Sequence, residues 1–238
     1  ISVEGAVDVA REAADLILLE RDLTVVHEGV LEGRRTSGNI RKYVMMATSS
    51  NFGNMASMAA ATLFLPFLPM TPIQILLNNL LYDVSEVAIP FDEVDARELE
   101  RPQPWDTAFI RNFMLVLGPV SSLFDLLMFW IMLSVLDFGV DLFRTGWFIE
   151  STATQILVIF VIRTRGNPLR SRPHRWLVAT SLGVVAACVL LPLTPFGAHL
   201  GFVVPPPVFF AVLAGMVLAY LLMVEVAKRW FYRRLAPD

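Results

Sequence analysis

A single cysteine, Cys188, excludes a disulfide framework and a cysteine-based zinc site. The three histidines, His27, His174 and His199, lie too far apart in sequence to form a metal-binding pair of the HExxH kind. Charge is scarce as well: Asp, Glu, Lys and Arg make up 17% of the 238 residues, where a soluble domain carries roughly 25%. With 19 Lys+Arg against 22 Asp+Glu, the net charge of −3 holds no basic excess that would draw nucleic acid. No glycine-rich phosphate loop of the Walker type is present. No basic-then-apolar leader opens the chain either. It starts at Ile1 and its first methionine is Met45, so it is expected to be the C-terminal part of a longer polypeptide.

What the chain has in abundance is apolar length. Its residues are 55% hydrophobic and its mean hydropathy is +0.60. A hydrocarbon core of roughly 30 Å takes about 20 residues of helix. Six runs approach or reach that length: Tyr43–Leu65, Met70–Phe91, Phe113–Leu136, Trp147–Ile162, Trp176–Leu193 and Val208–Val226, the fourth being the shortest. Proline-rich links, residues 66–69 and 194–207, suit turns between spans. Lys and Arg crowd one side. Arg34, Arg35, Arg41 and Lys42 precede the first run, Arg97, Arg101 and Arg111 follow the second, Arg163 to Arg175 follow the fourth, and Lys228 to Arg234 follow the sixth; the opposite loops hold only Arg144. By the positive-inside rule both termini are expected in the cytoplasm. The Arg163–Arg175 cluster reads most simply as a determinant of that orientation, with binding of anionic lipid headgroups as the alternative.

Residues 1–42 then form a cytoplasmic segment, and residues 43–238 a membrane domain. Val7–Ala14 has helical spacing, Leu16–Leu19 is a short apolar run typical of a buried strand, and Asp22 is placed to cap a helix with Val25, Val26, Val30 and Leu31 on one face. One strand cannot bury both of its faces, so this remnant of an α/β domain is expected to need a partner sheet outside the chain. Only Gly38 interrupts the helical sequence that leads into the first span as a stalk.

Ionisable groups at bilayer depth cost about 2.5–3.5 kcal/mol on insertion scales and are functional candidates by default. Asn79, Asp83 and Glu86 fall at i, i+4 and i+7 in the second run, and Asn51 and Asn54 at i, i+3 in the first. Carboxylate and amide oxygens on two helices joined by a short turn suit a hard divalent cation, and Mg²⁺ needs few protein ligands because it keeps its waters. Asn78 and Ser85 read as hydrogen bonds between helices. Glu86 is open between an ion path and helix packing. Asp125, midway along the third run, reads as a structural hydrogen-bonding group, with a water-filled path as the alternative. Glu150, near the end of the fourth run, reads as solvated at headgroup level.

The stretch GAVDVAREAADLILLERD from Gly5 to Asp22, with EGRR at Glu32–Arg35 and IRKY at Ile40–Tyr43, resembles the end of the phosphorylation domain and the stalk of P-type cation-transporting ATPases. The runs SSNFGN (Ser49–Asn54) and NLLYD (Asn79–Asp83) are similar to that family's fifth and sixth membrane helices. The longer wording NLLYDVSEVAIPFD (Asn79–Asp92) looks most like its bacterial magnesium-transporting branch. The resemblance implies an all-α polytopic membrane domain of six helices, the last six of ten, preceded by the helix-strand-helix remnant. It implies Mg²⁺ as transported ion, ATP as the energy source in the intact protein only, and the bacterial inner (plasma) membrane as location. Asn51, Asn54, Asn79 and Asp83 fall on family positions that coordinate the ion, with Gln155 as a neighbour. Asn54 stands where calcium pumps have Glu, and Tyr82 where they have a smaller hydroxyl residue, which suggests one divalent ion. The family's Asp-Lys-Thr-Gly motif, nucleotide domain and first four spans are absent from these 238 residues. The implied partners are membrane lipid and the remaining N-terminal part of the same pump, with no nucleic acid. The rival reading is a free-standing six-span channel or accessory membrane protein without ATPase activity.

Overall fold

The structure, a computed structural model, describes residues 1–19, 22 and 24–235. It forms two compact units, one of residues 1–38 with 94–104 and one of residues 39–93 with those from 105 onwards.

In the first unit, strand β1 (Ser2–Val3) pairs in parallel with β2 (Ile17–Leu18), in the register Ser2 to Ile17 and Val3 to Leu18. Helix α1 (Asp8–Glu12) lies between them in sequence, shorter than the Val7–Ala14 expected. The β2 strand therefore has one short partner inside the chain, a strand that the sequence did not reveal. A two-residue strand carries too short an alternation to be read from sequence. Asp22 caps as expected, its Oδ1 accepting from the Thr24 N–H at 2.8 Å. Helix α2 (Thr24–Ala61) starts there and runs unbroken through Gly38. Without a side chain Gly38 lets Val94 close on the helix: a Cβ there would lie 2.8 Å from Val94 Cγ1. The short α4 (Ala96–Glu100) ends against Arg34, whose Nη1 donates to the Leu99 and Glu100 carbonyls at 2.6 and 3.2 Å.

In the second unit, α3 (Pro72–Glu86) begins at a reciprocal cap in which Thr71 and Gln74 satisfy each other's backbone N–H, with Pro72 in the first turn, where its missing N–H costs nothing. Helix α5 (Thr107–Trp130) continues into a π-turn at Ile131–Val135. There follow α6 (Val140–Leu157), α7 (Ile159–Ile162), α8 (Arg175–Leu190), α9 (Pro195–His199) and α10 (Pro207–Arg234). Among the described residues four helical stretches are long and apolar enough to cross a membrane: Thr107–Val135, Val140–Ile162, Arg175–Leu193 and Pro207–Arg234. They match the third to sixth apolar runs. The first run folds into the second half of α2, where Ser49, Ser50, Asn51, Asn54 and Ser57 dilute its hydropathy. The second folds into α3, whose 15 residues span about 23 Å.

Helix α6 is the centre of the unit. It packs against α3, α5, α8 and α10, and 89% of its apolar stretch is buried, against 28–39% for the other three. Every residue from Thr145 to Ile156 is buried. Such a helix is enclosed on all sides, and its small and hydroxyl residues let neighbours come close and hydrogen-bond across. Trp147 packs edge-on against Phe129 with ring centroids 4.9 Å apart, and Phe148 meets Phe202 at 4.6 Å. The outer helices instead expose Leu115, Leu123, Leu182, Leu218 and Leu222, the apolar surface that contact with lipid requires.

Helices α2 and α5 cross at glycines. A Cβ on Gly53 would lie 2.9 Å from Ser121 Cβ and 3.1 Å from the Gly118 carbonyl oxygen, and one on Gly118 would strike the Phe52 ring. Gly53→Val is expected to lower stability by about 1–3 kcal/mol through overpacking. Thermal melting in detergent checks this, and an unchanged midpoint would refute the close crossing.

Candidate functional site

The five residues singled out in the first two apolar runs lie on α2 and α3, and burial divides them. Asn51, Asn79 and Asp83 are exposed, Asn54 is half-buried and Glu86 is buried. Among the described residues the side chains of Asn51, Asn79 and Asp83 make no hydrogen bond or ion pair. Glu86 belongs to the inward stripe of α3, with Gln74, Asn78, Tyr82 and Ser85, which are four or three residues apart. Its Oε1 has no hydrogen-bond partner. The helix therefore presents two adjoining stripes, an outward one with Asn79 and Asp83 and an inward one with Asn78, Tyr82 and Glu86.

Asn54 and Asn78 are joined through α6. Ser151 Oγ donates to Asn54 Oδ1 at 3.1 Å, and Gln155 Nε2 donates to Ser151 Oγ at 2.6 Å and to Asn78 Oδ1 at 3.3 Å. Asn78 Nδ2 donates to Thr152 Oγ1 at 2.7 Å. This chain of amides and hydroxyls links α2, α6 and α3, and it leaves Gln155 Oε1 buried without a partner. Asn78 thus has the interhelical role its sequence suggested. Ser151 and Thr152 escaped the sequence reading, although the polar run Ser151-Thr-Ala-Thr-Gln155 inside an apolar span marks them. Among the described residues no group of three or more His, Cys, Asp or Glu side chains is placed to hold a metal ion. The chain of amides and hydroxyls offers neutral oxygens on the inward side of α3, whereas the Asp83 carboxylate lies on the outward stripe.

One further expectation changes in the structure. Glu150 is buried, 1% exposed, and not solvated at headgroup level. The reason is that α6 starts at Val140, seven residues before the apolar run begins, which carries Glu150 into the third turn. Asp125 accepts from Ser57 and Trp147 and so has the structural bonds expected of it.

Beyond the ends of α3 and α7, Asp92 gathers a cluster missed in the sequence. Its Oδ2 accepts from Lys42 Nζ and Arg163 Nε, both at 2.9 Å, and its Oδ1 from Arg163 Nη2 at 3.0 Å and the His174 N–H at 3.1 Å. Arg163 also donates to the Ser171 and Arg172 carbonyls, at 3.2 and 2.9 Å. Burial opposes the Asp92 anion, but Arg163 and Lys42 outweigh it and hold its carboxyl below the ordinary range. Arg163 is 2% exposed, so it offers no surface charge to lipid headgroups, the alternative that the sequence left open for this cluster. Lys228 is likewise enclosed: its Nζ donates to the Val161, Thr164 and Gly166 carbonyls at 2.8, 3.0 and 3.2 Å and pairs with Glu225 at 2.7 Å. It satisfies carbonyls left open where α7 ends.

Residues 67–230 match the family described as cation transporting ATPase, C-terminus. Across 98% of its length the chain is 45% identical to a magnesium-transporting ATPase, P-type 1, of Salmonella typhimurium, and 44% identical to one of Escherichia coli K12. A calcium-transporting ATPase of Bacillus subtilis is 33% identical over 44% of the chain. The chain spans 26–27% of the length of the two magnesium-transporting relatives.

Proposed function

The chain belongs to the P-type cation-transporting ATPases, in their C-terminal region, and from that premise we propose that it supplies six membrane spans and part of the ion site of an ATP-driven magnesium transporter. The observation that carries this reading is the 45% identity to a magnesium-transporting relative across 98% of the chain. The second half of α2 and helix α3 are the first two of the six spans. Their low hydropathy and short length are tolerable because polar and non-helical backbone at membrane depth persists where protein or a water-filled cavity covers it. An exposed carboxylate on such a helix, as at Asp83, faces protein or water and not lipid.

In this reading Asn51, Asn54, Asn79 and Asp83 supply oxygens to one Mg²⁺, with Glu86 at the cytoplasmic end of the path. Asn54 is positioned by Ser151, and through Gln155 by Asn78. The transported Mg²⁺ is a substrate that passes this set. Both termini are cytoplasmic, the membrane is the bacterial inner membrane, and residues 1–42 pass the effect of ATP-dependent phosphorylation elsewhere in the longer protein to α2. This chain has no Asp-Lys-Thr-Gly motif, so it is expected to hydrolyse no ATP by itself.

The test is Mg²⁺ movement into or out of sealed vesicles that contain the intact protein, followed with a fluorescent Mg²⁺ indicator. Translocation that requires ATP supports the pump. Mg²⁺ flux independent of ATP would favour the channel reading, and absence of any Mg²⁺ flux alongside ATP-driven movement of another cation would overturn the ion assignment.

A further inference from the structure

Two carboxyl groups, neither used in the proposed ion site, meet inside the bundle. Asp125 on α5 and Glu150 on α6 are each 1% exposed, and they lie at the same place in the bundle, since Trp147, three residues before Glu150 on the same face of α6, donates to Asp125. Both oxygens of Asp125 are also served by donors: Ser57 Oγ on α2 donates to Oδ2 at 2.5 Å, and Trp147 Nε1 on α6 to Oδ1 at 3.0 Å. Glu150 is served by none. Among the described residues no N–H or hydroxyl donates to its carboxyl, its buried Oε2 has no hydrogen-bond partner, and no Lys, Arg or His pairs with either acid. The titratable neighbour on α10 is Tyr220, whose ring packs against Phe124 at 5.5 Å.

A single proton fits this arrangement with every donor left where it is. With no proton, two anions would lie close together in a dry interior, and Glu150 would be a buried carboxylate without a single donor. With two protons, the Asp125 O–H would find an acceptor only if the Ser57 hydroxyl gave up its bond to Asp125 and turned to the Gly53 carbonyl, 2.9 Å away. With one proton on Glu150, the acid donates to an Asp125 carboxylate that then holds three donors. The unpartnered oxygen is then the carbonyl of a neutral acid, which is far cheaper to bury than half of an anion.

We propose that Asp125 and Glu150 form a binding site for one proton, held on Glu150 and donated to Asp125, and that this proton joins α5 to α6 at the level where Ser57 brings in α2. The site is separate from Asn51, Asn54, Asn79 and Asp83 and does not depend on which ion passes there.

The arrangement predicts an asymmetry between two isosteric changes. In Glu150→Gln the carboxamide supplies the same kind of donor to Asp125. In Asp125→Asn the amide NH₂ can be accepted only by Ser57, whose hydroxyl must then turn to the Gly53 carbonyl, and the Trp147 and Glu150 donors are left to share one oxygen. The experiment uses the intact protein in lipid nanodiscs, with infrared spectra in H₂O and D₂O and thermal melting of wild type and both variants. The expected result is a carboxylic-acid C=O band, shifted by D₂O, that Glu150→Gln removes while melting within about 2 °C of wild type, whereas Asp125→Asn melts roughly 5 °C lower or more. A Glu150→Gln spectrum that keeps every acid band would overturn the proposal. So would the reverse order of stabilities, which puts the proton on Asp125, or failure of Glu150→Gln to fold, since an equivalent donor would then not replace the acid.

Discussion

Asp83→Asn is expected to abolish magnesium transport by the intact protein while leaving its folding and membrane insertion unchanged. The argument rests on charge. The other oxygens of the proposed site, those of Asn51, Asn54 and Asn79, are neutral, and Glu86 turns inward. Asp83 is then the main negative charge that a partly dehydrated Mg²⁺ meets. At 4 Å and an effective dielectric constant of 20, two unit charges attract by about 4 kcal/mol, so loss of the charge should weaken apparent affinity by at least about a hundredfold. The amide keeps the size and one oxygen, which separates coordination from packing. The side chain has no hydrogen-bond or ion-pair partner among the described residues, so the melting temperature should not move. Ion-stimulated ATP hydrolysis and vesicle uptake read the effect. Wild-type uptake by a well-expressed Asp83→Asn protein would remove Asp83 from the site and leave the family assignment intact.

Asp92→Ala is expected to cost about 3–5 kcal/mol of stability, because it leaves Lys42 and Arg163 buried without their counter-charge. Four donors converge on this carboxylate, from α2, from the end of α7 and from the start of α8. Removing the acceptor frees all three segments together. Arg163→Lys should fall between wild type and Asp92→Ala, since an ammonium cannot reproduce the two-pronged contact of the guanidinium. The pH dependence has a definite sign. The Asp92 carboxyl is held below its ordinary range in the folded state, so its contribution is fully present above about pH 4 and is lost as the pH falls through the folded value. Wild type should therefore lose a stabilising increment on acidification that Asp92→Ala does not have. Equal melting temperatures of the two proteins at pH 7 would show that the cluster contributes nothing.

Much of the fold was legible in one dimension because hydropathy is a local property. The third to sixth apolar runs are helices where they were expected, to within a few residues at most ends, since a continuous apolar run of this length satisfies its backbone groups in hydrocarbon as a helix. The exception is informative. Helix α6 begins seven residues before its apolar run: its first turn exposes Val140 and Asp141, and only Phe143, Thr145 and Gly146 of this extension are buried, so hydropathy alone did not mark its start. Cap chemistry was legible as well, as at Asp22, because the capping residue and its target are neighbours in the chain. The β1–β2 pairing was not, since a two-residue strand leaves no pattern.

The sequence by itself determined that the chain is helical and membrane-like, where its polar residues interrupt apolar runs, and, through the stretches Gly5–Asp22 and Asn79–Asp92, the family it belongs to. Only the tertiary structure decided what each polar group meets. It put Asp83 on an outward stripe of α3 and Glu86 on an inward one, though the two lie three residues apart. It placed Glu150 beside Asp125, turned Arg163 and Lys228 from surface cations into buried clasps, and joined Asn54 to Asn78 through Ser151 and Gln155. The physical reason is range. Whether a segment enters a membrane depends on the summed transfer energy of its own residues. The partner of a buried charge or amide is chosen by helices packed against it from 50 or more positions away, and no local pattern records that choice.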